Sequence, residues 1–126
     1  AMGLLGARQV NIIMPGGCLR HESISLVGGS RDLLWTDLHI SIGFFGARGF
    51  TLEEGLTDVN LEEVRTKRAL VARCQQVIGV IDARKWGQVA TATFANLDQI
   101  DTIITDDAPP EMLEEVRRRK VEVILV

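Results

Sequence analysis

Five short runs of apolar, largely β-branched residues, set apart by stretches of helical periodicity, limit the fold of this chain more than any other feature. The runs are VNIIM at residues 10–14, HISIGFF at 39–45, VIGVI at 77–81, TIIT at 102–105 and VEVILV at 121–126. Their apolar positions are mostly continuous rather than alternating, which suits strands covered on both faces, as in a parallel sheet. The clearest helical stretch between them begins at Asn60, which can cap the first turn while Glu63 completes a capping box, and it extends to about Gln76. Another opens on Pro109 and Pro110, carries Glu111, Glu114 and Glu115 early and Arg117, Arg118, Arg119 and Lys120 late, and so complements the helix dipole at both ends. A shorter one spans residues 30–37, with Leu33, Leu34 and the following Leu38 directed inward. Residues 88–95, QVATATFA, alternate weakly in the manner of an edge strand. Strands alternating with helices indicate an α/β fold: an open, doubly wound, mostly parallel sheet with right-handed crossovers.

The apolar runs stop abruptly at polar or glycine-rich tips. PGG at 15–17, GARG at 46–49, DARK at 82–85 and TDD at 105–107 each follow a buried-looking run. In an open α/β sheet, ligands bind outside the carboxyl ends of the strands, where these four tips would gather. A ligand-binding rim accounts for all of them together. The glycines either let backbone N–H groups approach an anion or simply make sharp turns, and turn-making is sufficient for any one of them. The loop EEGLTD at 53–58 is expected to lie over the rim and to offer the Thr57 hydroxyl.

Two charged groups stand out. Lys67 falls on the same helical line as Val64, Val71 and Cys74, so a cation is placed on an inner face near a helix start, where it opposes the dipole and needs a compensating anion. Glu63, four residues earlier, is the expected partner; a snorkelling lysine with a packed stem and a wet head is the plainer reading. At the end of the 77–81 run, Asp82 can cap the following turn, while Arg84 and Lys85 can grip a phosphate or carboxylate, arginine by its fork and lysine as a point charge. With Arg48 and the glycine turns, this pattern suits a small anionic ligand.

The totals exclude several classes. At 126 residues the chain is one domain by size and buries roughly 65–70% of its unfolded surface. Fourteen basic against seventeen acidic residues give a net charge of −3, which offers no general attraction to nucleic acid. No apolar run approaches the roughly 18 residues of a membrane span, and a cytoplasmic location follows by default. Cys18 and Cys74 stand far apart, and His21 and His39 are isolated, so no metal site or nucleophilic triad is indicated. No phosphate-loop or dinucleotide-binding signature is present, and no cofactor is expected. Trp35 and Trp86 read as packing residues, and RRRK at 117–120 as the basic end of a helix. The opening AMG passes almost at once into an interior-looking strand, as in a fragment of a longer protein.

Taken in order, IIMPGGCLRHESISLVGG, GFFGARGFTLEEGLTDVNLEEVRTKRAL, VIGVIDARKWG and IDTIITDD resemble the later part of the effector-sensing domain of DeoR-type bacterial transcriptional regulators. The resemblance extends from about Val10 to Val126. It implies a fold similar to ribose-phosphate isomerases, glucosamine-phosphate deaminases and CoA transferases. It also implies a phosphorylated sugar or related metabolite as effector. Carried onto this sequence, the effector rim comprises Gly16, Gly17, Gly46, Arg48, Gly55, Thr57, Glu63, Lys67, Asp82 and Lys85. Three positions depart from the family pattern: Ala83 and Arg84 replace the two serines of the usual D-S-S-K, which is Asp82-Ala83-Arg84-Lys85 here, and Asp58 stands where a second threonine is usual. The resemblance makes residues 1–126 a partial sensing domain. The winged helix-turn-helix that would contact operator DNA, and the first half of the sensor with its phosphate loop, lie outside this chain.

Three readings of function follow. The first is a metabolite sensor whose effector changes the DNA affinity of an attached helix-turn-helix, which requires different ligand affinity in two states. The second is an isomerase-like or deaminase-like enzyme fragment with Asp82 as base and Lys85 or Lys67 as electrostatic stabiliser. The third is an oligomerisation module with a vestigial rim. A sheet lacking its first strands exposes an edge and an apolar face, so self-association is expected.

Overall fold

A computed structural model describes residues 2–4, 6–14, 16–20, 25–27 and 38–126, in two compact units, Ala1–Leu34 and Trp35–Val126. The first unit holds a 3-10 turn, Met2–Leu4, and an antiparallel pair, β1 (Cys18–Arg20) and β2 (Ser25–Val27), in the register Cys18↔Val27. Residues 10–14, expected as a strand, form none: Val10, Ile13 and Met14 are exposed, and among the described residues no strand pairs with them. Without a partner strand the backbone gains nothing from extension in register. The helix expected over 30–37, and Trp35 with it, lies outside the described residues.

The second unit is built on a parallel four-stranded sheet. Its order is β3 (Ile40–Gly46), β6 (Cys74–Val80), β8 (Thr102–Thr105), β9 (Glu122–Leu125). A second, antiparallel sheet orders β4 (Gly49–Thr51), β5 (Gly55–Asp58) and β7 (Ala92–Ala95). Helix α1 (Leu61–Val71) links the antiparallel hairpin to β6, and α2 (Pro110–Arg118) links β8 to β9. The open, mostly parallel α/β sheet anticipated from the sequence is therefore what forms. The runs at 39–45, 102–105 and 121–126 lie where strands were expected, and β7 is the anticipated edge strand.

Helix α1 ends a turn earlier than its apolar line suggests. Cys74 and Gln76 pair with Ile40 and Ile42 of β3, so β6 starts at Cys74 and not at Val77. An apolar line at this spacing fits either period over a few residues, and the parallel pairing decides it. At the other end of α1, the Asn60 side chain accepts from the backbone N–H groups of Glu62 and Glu63 at 2.9 and 3.1 Å, as its position in the sequence indicates.

The β4–β5 hairpin replaces the loop expected over residues 53–58. Its three-residue connection, 52–54, leads into Gly55 at φ +70, a left-handed position that favours glycine. Thr51 Oγ1 accepts from the Glu54 N–H at 3.1 Å inside the turn. A side chain at Gly55 would run into the Ala95 carbonyl oxygen, so both conformation and space call for glycine.

One buried cluster holds the unit together. Phe45, Val77, Ile81, Ile103 and Val123 from one sheet face meet Val64 and Val71 of α1, Val116 of α2, and Phe50 and Leu56 of the hairpin. Phe50, Leu56, Ile103, Val64 and Val116 are almost fully buried, each worth roughly 1.5–3 kcal/mol by transfer. Trp86 locks the end of β6 to the hairpin. Its ring meets Phe50 edge-on at 4.9 Å, its backbone bridges Phe50, and its Nε1 donates to Thr105 Oγ1 at 3.2 Å. It is a packing residue, as its position suggests. On the opposite sheet face, Ile42, Phe44, Val80 and Ile124 are 40–65% exposed, although Ile78 and Thr102 between them are buried.

Candidate functional site

Sheet register brings the strand tips to one edge. Gly46 pairs with Val80, Val80 with Ile104, and Ile104 with Ile124, so the residues after them share the carboxyl end of the sheet. These are Arg48, the turn Ala83–Lys85 with its cap Asp82, and Asp106 with Asp107. The turn is tied to its neighbours by the backbone. Ala83 N donates to Asp106 Oδ1 at 2.7 Å, and Gly87 N donates to the Phe50 carbonyl at 2.8 Å.

Lys67 reaches this edge from α1. Its ammonium donates to the Gly46 carbonyl at 2.8 Å and to Asp58 Oδ2 at 2.5 Å, and lies 4.9 Å from the centroid of the Phe94 ring. Only 22% of its side chain is exposed, and only 8% of Asp58's. Asp58 is therefore a compensating anion for Lys67. Asp58 comes from the end of β5, and its Oδ1 also accepts from the Val59 N–H at 2.7 Å. No helical spacing predicts this contact, because it joins a strand end to a helix across the Asn60 cap. The one sequence signal is the charge itself, at a position where the family pattern has a threonine.

At the β6 tip, the Asp82 carboxylate caps the turn, accepting from the Arg84 backbone N–H at 3.0 Å, and also holds the Arg84 guanidinium at 3.0 and 3.2 Å. The guanidinium hydrogen bond keeps Asp82 below the ordinary carboxylate value of 3.8. Arg84 is thereby committed within the turn. Arg48 and Lys85 are different. Among the described residues neither makes an ion pair, and Arg48 is anchored through its backbone N–H to the Thr57 carbonyl at 2.9 Å. Gly46 is exposed, and a methyl group added there would meet nothing within 4 Å. The space above the β3 tip is open.

Of the ten residues assigned to the rim from sequence, Gly46, Arg48, Lys67, Asp82 and Lys85 come together at the carboxyl end of β3 and β6. Glu63 lies on α1 one turn before Lys67. Thr57 does not belong to the rim surface. It is 1% exposed, and its hydroxyl donates to the Gly49 carbonyl at 3.1 Å and accepts from Ala90 N at 2.9 Å, which staples β4 to the segment leading into β7. Gly55 is buried in the hairpin turn, at the end of β5 remote from Asp58. Gly16 and Gly17 sit in the first unit just before β1, exposed, with φ of 75 and 125, as a turn requires. Among the described residues no group of three His, Cys, Asp or Glu side chains is placed to hold a metal ion, and no helix is long and apolar enough to cross a membrane.

Comparison with known proteins gives the same direction. The family profile described as the DeoR C terminal sensor domain matches residues 1–107. The HTH-type transcriptional regulator GolR of Listeria innocua is 36% identical over 79% of this chain and 39% of its own length. The HTH-type transcriptional regulator GlpR of Haloferax volcanii is 31% identical over 95% of this chain and 48% of its own. The glycerol-3-phosphate regulon repressor of Escherichia coli K12 is 27% identical over 90% and 45%. The chain thus spans less than half the length of each of these relatives.

Proposed function

The chain belongs to the DeoR C-terminal sensor domain family, and from that premise we propose that it binds a phosphorylated sugar or related small anionic metabolite at the carboxyl ends of β3 and β6. The observation that carries this reading is the position of Lys67, which ties α1, the β3 tip and the β5 end together beside the unpaired cations Arg48 and Lys85. Lys67 with Asp58 and Arg84 with Asp82 cancel in pairs, so Arg48 and Lys85 are the charges left to meet a phosphate. The open space above Gly46 gives the rest of the ligand room. One relative is named for glycerol-3-phosphate, which supports a phosphorylated polyol or sugar as the chemical class.

In the longer protein, the effector acts on operator DNA through a helix-turn-helix outside this chain, most simply as the switch of a repressor working in the cytoplasm. Ligand binding at a point where α1, β3 and β5 are fastened together favours one arrangement of those elements over another, which is the differential affinity that coupling requires. No turnover is expected. A carboxylate held below its ordinary value by a guanidinium is a weak general base, and Asp82 is in that state. The exposed Ile42 and Phe44 on the edge strand β3, with Val80 beside them, support self-association as well.

A thermal-shift screen of sugar phosphates, followed by a turnover assay of each hit, tests the reading. A ligand at a hundred times its dissociation constant adds about 2.7 kcal/mol of stability. Stabilisation without product is the expected outcome. Product formation would establish the enzyme, and no response across the panel would leave the rim without a ligand.

A further inference from the structure

A second cleft, of about 320 Å³, is lined by Arg68, Thr93, Phe94, Asn96 and Gln99. It opens toward the end of β7 and the turn that follows, whereas the rim end of β5 pairs with the first residue of β7, Asp58 with Ala92. We propose that this cleft binds a small carboxylate-bearing metabolite, with Arg68 as the cationic anchor.

The geometry of Arg68 is the main argument. Its Nε donates to the Thr93 carbonyl at 2.7 Å, which fixes the plane of the guanidinium while committing one of its five N–H groups. Among the described residues its terminal nitrogens have no hydrogen-bond or ion-pair partner. A fork held by Nε and free at its terminal nitrogens matches a carboxylate in two parallel bonds. Gln99 adds a donor in a known orientation. Its Oε1 accepts from Asn96 N at 3.0 Å, which leaves the NH₂ group for a ligand.

Charge and size narrow the class. Glu54 accepts the hydroxyl of Thr93, which lines the cleft, at 3.1 Å, and Arg68 is the one cation among the described lining residues. That balance suits a carboxylate better than a phosphate dianion, whose second charge would meet no further cation among the described lining residues. The volume is at the low end of the roughly 300–1,000 Å³ typical of small-molecule pockets, so the ligand is a single compact metabolite.

The test is an amide-resolved NMR titration of the chain with succinate and, separately, with inorganic phosphate. Succinate is expected to shift the amides of Thr93, Asn96 and Gln99 saturably in the millimolar range. Arg68→Gln should weaken that binding about tenfold or more, the usual worth of a charged hydrogen-bond pair. Gln99→Ala should weaken it severalfold, and it serves as the second variant should Arg68→Gln not fold. Lys85→Ala, at the rim, should leave it unchanged, so failure here is distinct from failure of the sugar-phosphate reading. The proposal is overturned if those amides do not respond, if Arg68→Gln and Gln99→Ala bind as the unaltered chain does, or if phosphate displaces succinate as the tighter ligand.

Discussion

The ammonium of Lys67 lies 2.5 Å from the Asp58 carboxylate, and this pair fastens α1 to the end of β5. Lys67→Met leaves a nearly buried carboxylate that keeps, among the described residues, only the Val59 N–H as a hydrogen-bond partner. The expected loss is about 2–4 kcal/mol, somewhat below that of a fully buried pair because Lys67 keeps part of its side chain in water. The double variant Lys67→Met/Asp58→Asn should be more stable than Lys67→Met alone. Urea unfolding of the two single variants and the double gives the coupling energy, and additive losses would contradict the account.

Two glycines at opposite ends of one argument provide a second test. Gly55→Ala forces an L residue into φ +70 and drives its methyl group into the Ala95 carbonyl, so a loss of at least about 2 kcal/mol is expected. Gly46→Ala should fold within about 0.5 kcal/mol of the unaltered chain, because its methyl group projects into open space. It should nevertheless weaken sugar-phosphate binding, since that space is where the ligand is placed. Denaturation and binding measured on the same two variants separate the effects.

Much of this arrangement was legible in the residues. Continuous β-branched runs marked β3, β8 and β9, and Asn60 marked the start of α1, because strand burial and capping are local properties. The rule that ligands gather at strand ends puts the tips carrying Arg48, Asp82 and Lys85 on one edge, whereas Lys67 stands out only as a charge on the inner line of a helix. What the residues concealed was set by partners distant in sequence. Residues 10–14 have a strand's composition but no strand to pair with among the described residues, and Cys74 fits a helix until β3 claims it. Thr57 looked like a rim hydroxyl because nothing in its own neighbourhood indicates that Gly49 and Ala90 will occupy it. The hairpin that buries Thr57 could have been recognised from Thr51 and Gly55, which bracket a three-residue turn between apolar positions.

Asp82 gives a prediction in pH. The Arg84 guanidinium lowers its folded-state value below 3.8. A depressed carboxylate stabilises the folded state above its ordinary value and loses that contribution as pH falls through the folded one. The carboxyl carbon of Asp82, followed by NMR, should titrate below pH 3.8, and Arg84→Ala should move its midpoint upward. An unchanged midpoint in Arg84→Ala would assign the shift to the backbone cap instead.

Self-association is the next expectation. Phe44 is 65% exposed on the edge strand β3, next to Ile42. Sedimentation at high micromolar concentration should give a mass above 13.9 kDa, and Phe44→Asp should return it to the monomer. A monomeric mass for the unaltered chain at that concentration would count against the association.

The central claim is that Arg48 and Lys85 hold the phosphate of a small metabolite at the tips of β3 and β6. Isothermal titration of the best sugar phosphate from the screen into the unaltered chain, Arg48→Ala and Lys85→Ala tests it most directly. Each variant should stay folded and bind about tenfold more weakly or worse, as the loss of a charged hydrogen bond implies. Undiminished affinity in both variants would place the ligand elsewhere and contradict the account.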